Sequence, residues 1–132
     1  MLRSLSSGLW IPVLFVLAGL AHADDRPPAP EGFVLDGDVD SGRAIFARNC
    51  ALCHGAKGDG DGTIFMDPPP RDLRKRDGLT SVDDWDVYRV IRDGGPALGL
   101  SPKMLPWNKT LDDGEIRDVA TFVLSLSAAE PE

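Results

Sequence analysis

"CALCHG", Cys50 to Gly55, sets two thiols three positions apart and an imidazole directly after the second. On a helical turn, residues i, i+3 and i+4 face the same side, so Cys50, Cys53 and His54 converge there. What such a donor set holds decides what the rest of the chain must wrap.

A thioredoxin-like C-x-x-C requires a βαβ frame, and the alternation that marks strands is absent throughout. A structural zinc site requires four ligands. The chain holds two cysteines and two histidines, and the second histidine, His22, lies in a leader segment. A plain disulfide is the usual fate of two cysteines in an exported protein, but it leaves His54 and the glycine-rich run behind it unexplained. C-x-x-C-H is the attachment sequence of c-type haem. There the thiols add to two porphyrin vinyl groups as thioethers, and the adjacent imidazole is held against the iron. Cys50 and Cys53 are therefore expected to attach one haem c per chain covalently, with His54 as an axial iron ligand.

Residues 1–23 read as a secretory signal. Arg3 gives the positive start, "LWIPVLFVLAGL" the apolar core and Ala21-His22-Ala23 the cleavage site, with cutting after Ala23 and delivery to the periplasm expected. The apolar run is interrupted by Pro12 and is shorter than the roughly 20 residues a bilayer span needs. No other stretch is apolar enough, so no stable membrane span is expected after cleavage. Losing Arg3 makes the chain more acidic than its full-length formal charge of −7. That balance repels nucleic acid and favours partners with basic docking surfaces.

Residues 24–39 form a Pro/Asp-rich arm, 40–127 the domain proper and 128–132 a short tail. A first helix is expected from about Asp40 to Cys50, capped by Asp40 or Ser41. Ile45 and Phe46 lie on one side of it. Gly42, one turn before Phe46, admits a close backbone approach. A glycine- and proline-rich loop follows, too long to be mere connection. A second helix fits "TSVDDWDVYRVIRDGG", capped by Thr80 or Ser81, with Trp85, Tyr88 and Ile91 on its apolar side and Arg89 and Arg92 toward its negative end. In the third, Asp112 with Glu115 makes a reciprocal cap and Leu111 with Ile116 a hydrophobic staple. Ile116, Val119, Ala120 and Val123 mark its inner face, with Phe122 and Leu126 alongside. The fold class is all-α: about three main helices and long loops around one covalent haem, which supplies the apolar body that so thin a core lacks.

"GRAIFARNCALCHGAKGDGDG", "PPPRDL", "VYRVIRDGGPALGLSPKMLPW" and "LDDGEIRDVATFVLSL" resemble, in order, the segments of class I (monohaem) cytochromes c. The resemblance implies that Gly42 and Phe46 pack against the last helix near Phe122. It also implies that Met104, in "SPKMLPW" on a proline-bracketed loop, is the second axial ligand. Met66 is the alternative methionine, with an ordinary apolar contact as its expected role. Arg71 is a candidate partner for a haem propionate, and Trp107 a candidate haem contact or simple packing residue. Arg74, Lys75 and Arg76 read as solvated surface. The other ring N–H of His54 is expected to reach a carbonyl in the loop up to Pro68–Pro70. "KGDGDG" is not expected to bind calcium, because Lys57 and Pro68 occupy positions that an EF-hand loop fills with acids.

Iron bound by both His and Met has no open position and exchanges single electrons. The expected function is thus that of a periplasmic electron carrier between redox proteins, not an enzyme. Two alternatives stand beside it. One is a permanently bound haem subunit of a dehydrogenase or reductase complex. The other, if Met104 is not bound, is a five-coordinate peroxidase or gas sensor.

Overall fold

The structure is a computed structural model that describes residues 26–75 and 83–128. The leader, Arg76 and the expected caps Thr80 and Ser81 lie outside the described residues. Four α-helices occur in order, with a 3₁₀ turn between the third and fourth: α1 (Val39–Asn49), α2 (Ala51–His54), α3 (Asp84–Asp93), the turn Gly95–Leu98 and α4 (Asp113–Ala128). No strand is present among the described residues.

α1 starts one residue earlier than expected. Asp38 has the extended backbone a cap requires and its carboxylate accepts from the Ser41 N–H. Asp40 and Ser41 consequently fall inside the first turn, where Ser41 donates instead of capping. In α3 the cap is Asp83, which accepts from the Asp86 N–H at 2.8 Å. The reciprocal cap of α4 forms as expected. Asp112 accepts from the Glu115 N–H at 2.9 Å, and Glu115 accepts from the Asp112 N–H at 3.0 Å.

The core gathers Ile45 and Phe46 from α1, Val87, Tyr88 and Ile91 from α3, and Leu111, Ile116, Val119, Ala120 and Phe122 at and within α4. Its centre is the contact between the first and last main helices. Phe46 and Phe122 meet with ring centroids 5.3 Å apart. Gly42 sits directly on α4: a Cβ there would collide with the Asp118 carbonyl and lie 2.9 Å from the Phe122 Cβ. Gly42→Val should therefore force the helices apart at a cost of about 3 kcal/mol. Urea unfolding should show a lowered midpoint with an unchanged slope.

Residues 26–38 run as an extended arm laid over α3 and α4. Arg26 pairs with the buried Asp86 at 3.0 Å, and the indole N–H of Trp85 donates to the Pro27 carbonyl at 3.2 Å. Phe33 packs edge-on to Trp85 at 4.9 Å and against Tyr88 at 5.4 Å. Arg117 donates to the Val34 carbonyl at 2.6 Å, and the Asp38 N–H donates to Asp118 at 2.7 Å. Beneath the arm, the Tyr88 hydroxyl and Arg117 both donate to Asp113. The Tyr88 bond, then the Arg117 bond, hold the Asp113 carboxyl below the usual carboxylate range.

Candidate cofactor site

α1 ends at Cys50, whose N–H bonds to the Phe46 carbonyl, and the chain turns at once into α2. The N–H groups of Cys53 and His54 both bond to the Cys50 carbonyl, at 3.1 and 2.9 Å. The three motif residues thus occupy one turn, as their spacing requires. Gly55, at φ 80°, closes it.

Both cysteines are free and half-buried. Burial, and then the neighbouring Cys53, push the Cys50 thiol up to about 11. At neutral pH it is a protonated thiol. Burial pushes the His54 imidazole below its ordinary range. The neutral ring keeps the lone pair that a metal ligand needs. Its Nδ1 is buried with no hydrogen-bond partner among the described residues. The carbonyl expected from the loop up to Pro68–Pro70 does not reach it; that of Pro70 packs instead against Gly60, whose N–H bonds to the His54 carbonyl at 2.8 Å.

The glycine-rich run hugs the motif. A Cβ at Gly62 would strike the carbonyls of Leu52 and Cys53, so no larger residue fits without displacing α2. Beyond it, the Ile64 N–H bonds to the Leu52 carbonyl at 2.9 Å. Met66 is half-buried in this segment and Phe65 is 91% exposed. The amine of Lys103 then bonds to the Asp67 carbonyl, tying the Met66 segment to the Met104 loop.

Met104 is anchored by its backbone. Its carbonyl accepts from the Gly95 N–H at 2.8 Å, its N–H donates to the Ser101 carbonyl at 3.1 Å, and its side chain lies against the core. Trp107 is half-buried, packs on the same core and donates its N–H to the Ile91 carbonyl at 3.0 Å. Arg71 stands exposed after the prolines. Arg74 and Lys75 share Asp72, at 2.8 and 3.8 Å, and the Arg74 bond, its largest influence, pushes that carboxyl down to about 2.

The large apolar side chains left exposed have a pattern. Leu52 belongs to the motif, Ile64 and Phe65 to the segment tied to it, and Leu100 and Leu105 to the Met104 loop; Val34 on the arm is the remaining one. Apolar surface concentrated on linked segments around two thiols and a neutral imidazole suits a large apolar group held there. The donor set and its surroundings fit haem.

Arg89 was not legible as a site residue. Its position near the end of α3 suggests an exposed complement to the helix dipole, yet it is 8% exposed. Nη2 donates to the Ala97 carbonyl at 3.1 Å, and Nη1 is buried without a partner among the described residues. The signal was Trp85 one turn earlier on the same helix face, ready to cover a guanidinium.

A C-x-x-C-H turn directly after the first helix, in a small all-α domain whose first and last helices pack on each other, defines the cytochrome c class. The family described as "Cytochrome C oxidase, cbb3-type, subunit III" matches residues 37–123, more than half of the chain, and the chain belongs to it. It is thereby a cytochrome c of the electron-carrier family, with one covalently bound haem c. The Cbb3-type cytochrome c oxidase subunit CcoP of Azospirillum brasilense is 28% identical over 92 residues, covering 70% of this chain and 30% of that protein. The cytochrome c-553-like protein of Synechocystis is 39% identical over 54 residues, covering 41% of this chain and 51% of its own length. The chain thus spans 30% and 51% of the lengths of these two relatives. Among solved structures, cytochrome c6 of the diatom Phaeodactylum tricornutum superposes with a TM-score of 0.52 at 28% identity, covering 70% of this chain and 98% of that one. No described helix is long and apolar enough to cross a membrane.

Proposed function

We propose that the protein is exported, its leader cut after Ala23, and serves in the periplasm as a single-electron carrier between redox proteins. The observation that carries this reading is the single turn bearing Cys50, Cys53 and His54, linked through the Ile64 and Lys103 bonds to the Met104 loop, with exposed apolar side chains on each of these segments. Haem c supplies a one-electron Fe(III)/Fe(II) couple. Cys50 and Cys53 hold it through thioether bonds. His54 would supply a ring lone pair to the iron. Met104 would supply the second ligand, a soft thioether that favours the reduced state. With both positions filled, the chain offers no site for a substrate. Arg71 and Trp107 stand as candidate haem contacts.

The formal charge of −7 favours partners with basic surfaces and salt-sensitive association. Spectroelectrochemical titration of the purified holoprotein tests the carrier reading. A single reversible one-electron wave is expected. Turnover of peroxide faster than free haem would overturn it.

The match to oxidase subunits favours a second reading, a haem subunit held permanently in a larger complex. Size-exclusion chromatography of a native extract separates the two, since a fixed subunit co-elutes with its enzyme.

A further inference from the structure

A continuous set of contacts leads from the arm to the loop that carries Met104. Arg26 and the Pro27 carbonyl grip α3 through Asp86 and the Trp85 indole, and Phe33 closes over the same indole. The Arg89 guanidinium lies over the Trp85 ring, 5.9 Å from its centroid. Arg89 then donates to the Ala97 carbonyl in the 3₁₀ turn Gly95–Leu98. That turn holds the Met104 loop through two backbone bonds: the Gly95 N–H donates to the Met104 carbonyl at 2.8 Å, and the Leu100 N–H to the Gly95 carbonyl at 2.9 Å. A buried cation over an aromatic face, bonded to a neighbouring carbonyl, is well placed to fix that turn.

We propose that Arg89, braced by the arm through Trp85, is a positioning residue that keeps the Met104 loop closed. The proposal rests on Met104 being the axial ligand. Stability alone does not require Arg89. A buried guanidinium with an unpaired nitrogen is costly, and replacing it by an apolar side chain of similar volume is often neutral or stabilising. What the replacement removes is the bond to Ala97, so loop opening and global stability should respond differently.

The test uses ferric holoprotein and imidazole, which binds the iron only when the Met104 loop opens. Arg89→Met and Arg26→Met should each bind imidazole about tenfold more tightly than wild type, as expected for loss of a hydrogen bond to a charged group. Arg89→Lys, which keeps a donor of similar reach, should recover part of the difference. The double variant Arg26→Met/Arg89→Met should show less than the product of the single effects, because both act on the same stretch of α3 between the arm and the 3₁₀ turn. Trp85→Phe, which loses the bond to Pro27 but keeps a ring, provides a second route if Arg89→Met yields no folded holoprotein, with the same direction expected. Wild-type imidazole affinity in these variants would overturn the proposal while leaving Met104 ligation intact. A wild type that already lacks the near-infrared Met–Fe(III) band and binds imidazole without competition would instead overturn the ligand assignment itself, and the proposal with it.

Discussion

Replacing both Cys50 and Cys53 by alanine should abolish haem that survives denaturing acid–acetone extraction, whereas either single replacement should leave part of it behind. The reason is covalent. In the proposed site His54 and Met104 would hold the iron through bonds that exchange, and the thioethers of Cys50 and Cys53 would be the attachment that denaturation does not release. The double variant should also accumulate poorly. Among the described residues the core has ten buried apolar side chains, from the three main helices and from Leu111 just before α4, and small domains with thin cores depend on such staples. Folded protein yield and pyridine haemochrome content, measured together, check both effects. Full haem content after extraction of the double variant would place the attachment elsewhere.

The second large effect is electronic. Met104→Ala should lower the midpoint potential by roughly 0.2 V, a fraction of the ~0.8 V range that axial ligands control, and eliminate the near-infrared Met–Fe(III) band. Met66→Ala should leave both unchanged. Met66 lies half-buried in a segment attached to the Met104 loop by Lys103, so its replacement is also a control for disturbance of that rim. Spectroelectrochemistry of the three proteins decides between the two methionines. An exchange of these outcomes would make Met66 the ligand.

Local patterns in the chain carried much of this architecture. The reciprocal cap at Asp112 and Glu115 and the staple from Leu111 to Ile116 involve residues a few positions apart, and α4 begins where they place it. The i, i+3, i+4 geometry of Cys50, Cys53 and His54 needed nothing beyond helix periodicity. Gly42 is a tertiary feature, but the resemblance to a known family pointed to its partner on α4. Features set by distant residues were not legible. Asp38 takes the place of the expected α1 caps, Asp40 or Ser41, two or three residues earlier, because its backbone is extended. The arm reads as a linker, since its composition is that of one. Only the structure shows Phe33 packed against both Trp85 and Tyr88, more than fifty residues away in sequence. Arg89 looked like an exposed charge until the Gly-Pro turn folded its carbonyl back over it. The acceptor for His54 Nδ1 was expected in the proline loop, but the Pro70 carbonyl is engaged against Gly60.

The account as a whole depends on iron gripped by His54 on one axial side and Met104 on the other. Carbon monoxide reports on it most directly, because it binds ferrous haem only at an open position. The dithionite-reduced native protein at neutral pH should keep its Soret band unchanged under one atmosphere of the gas, while Met104→Ala shifts at once. A prompt shift in the native protein would contradict the account.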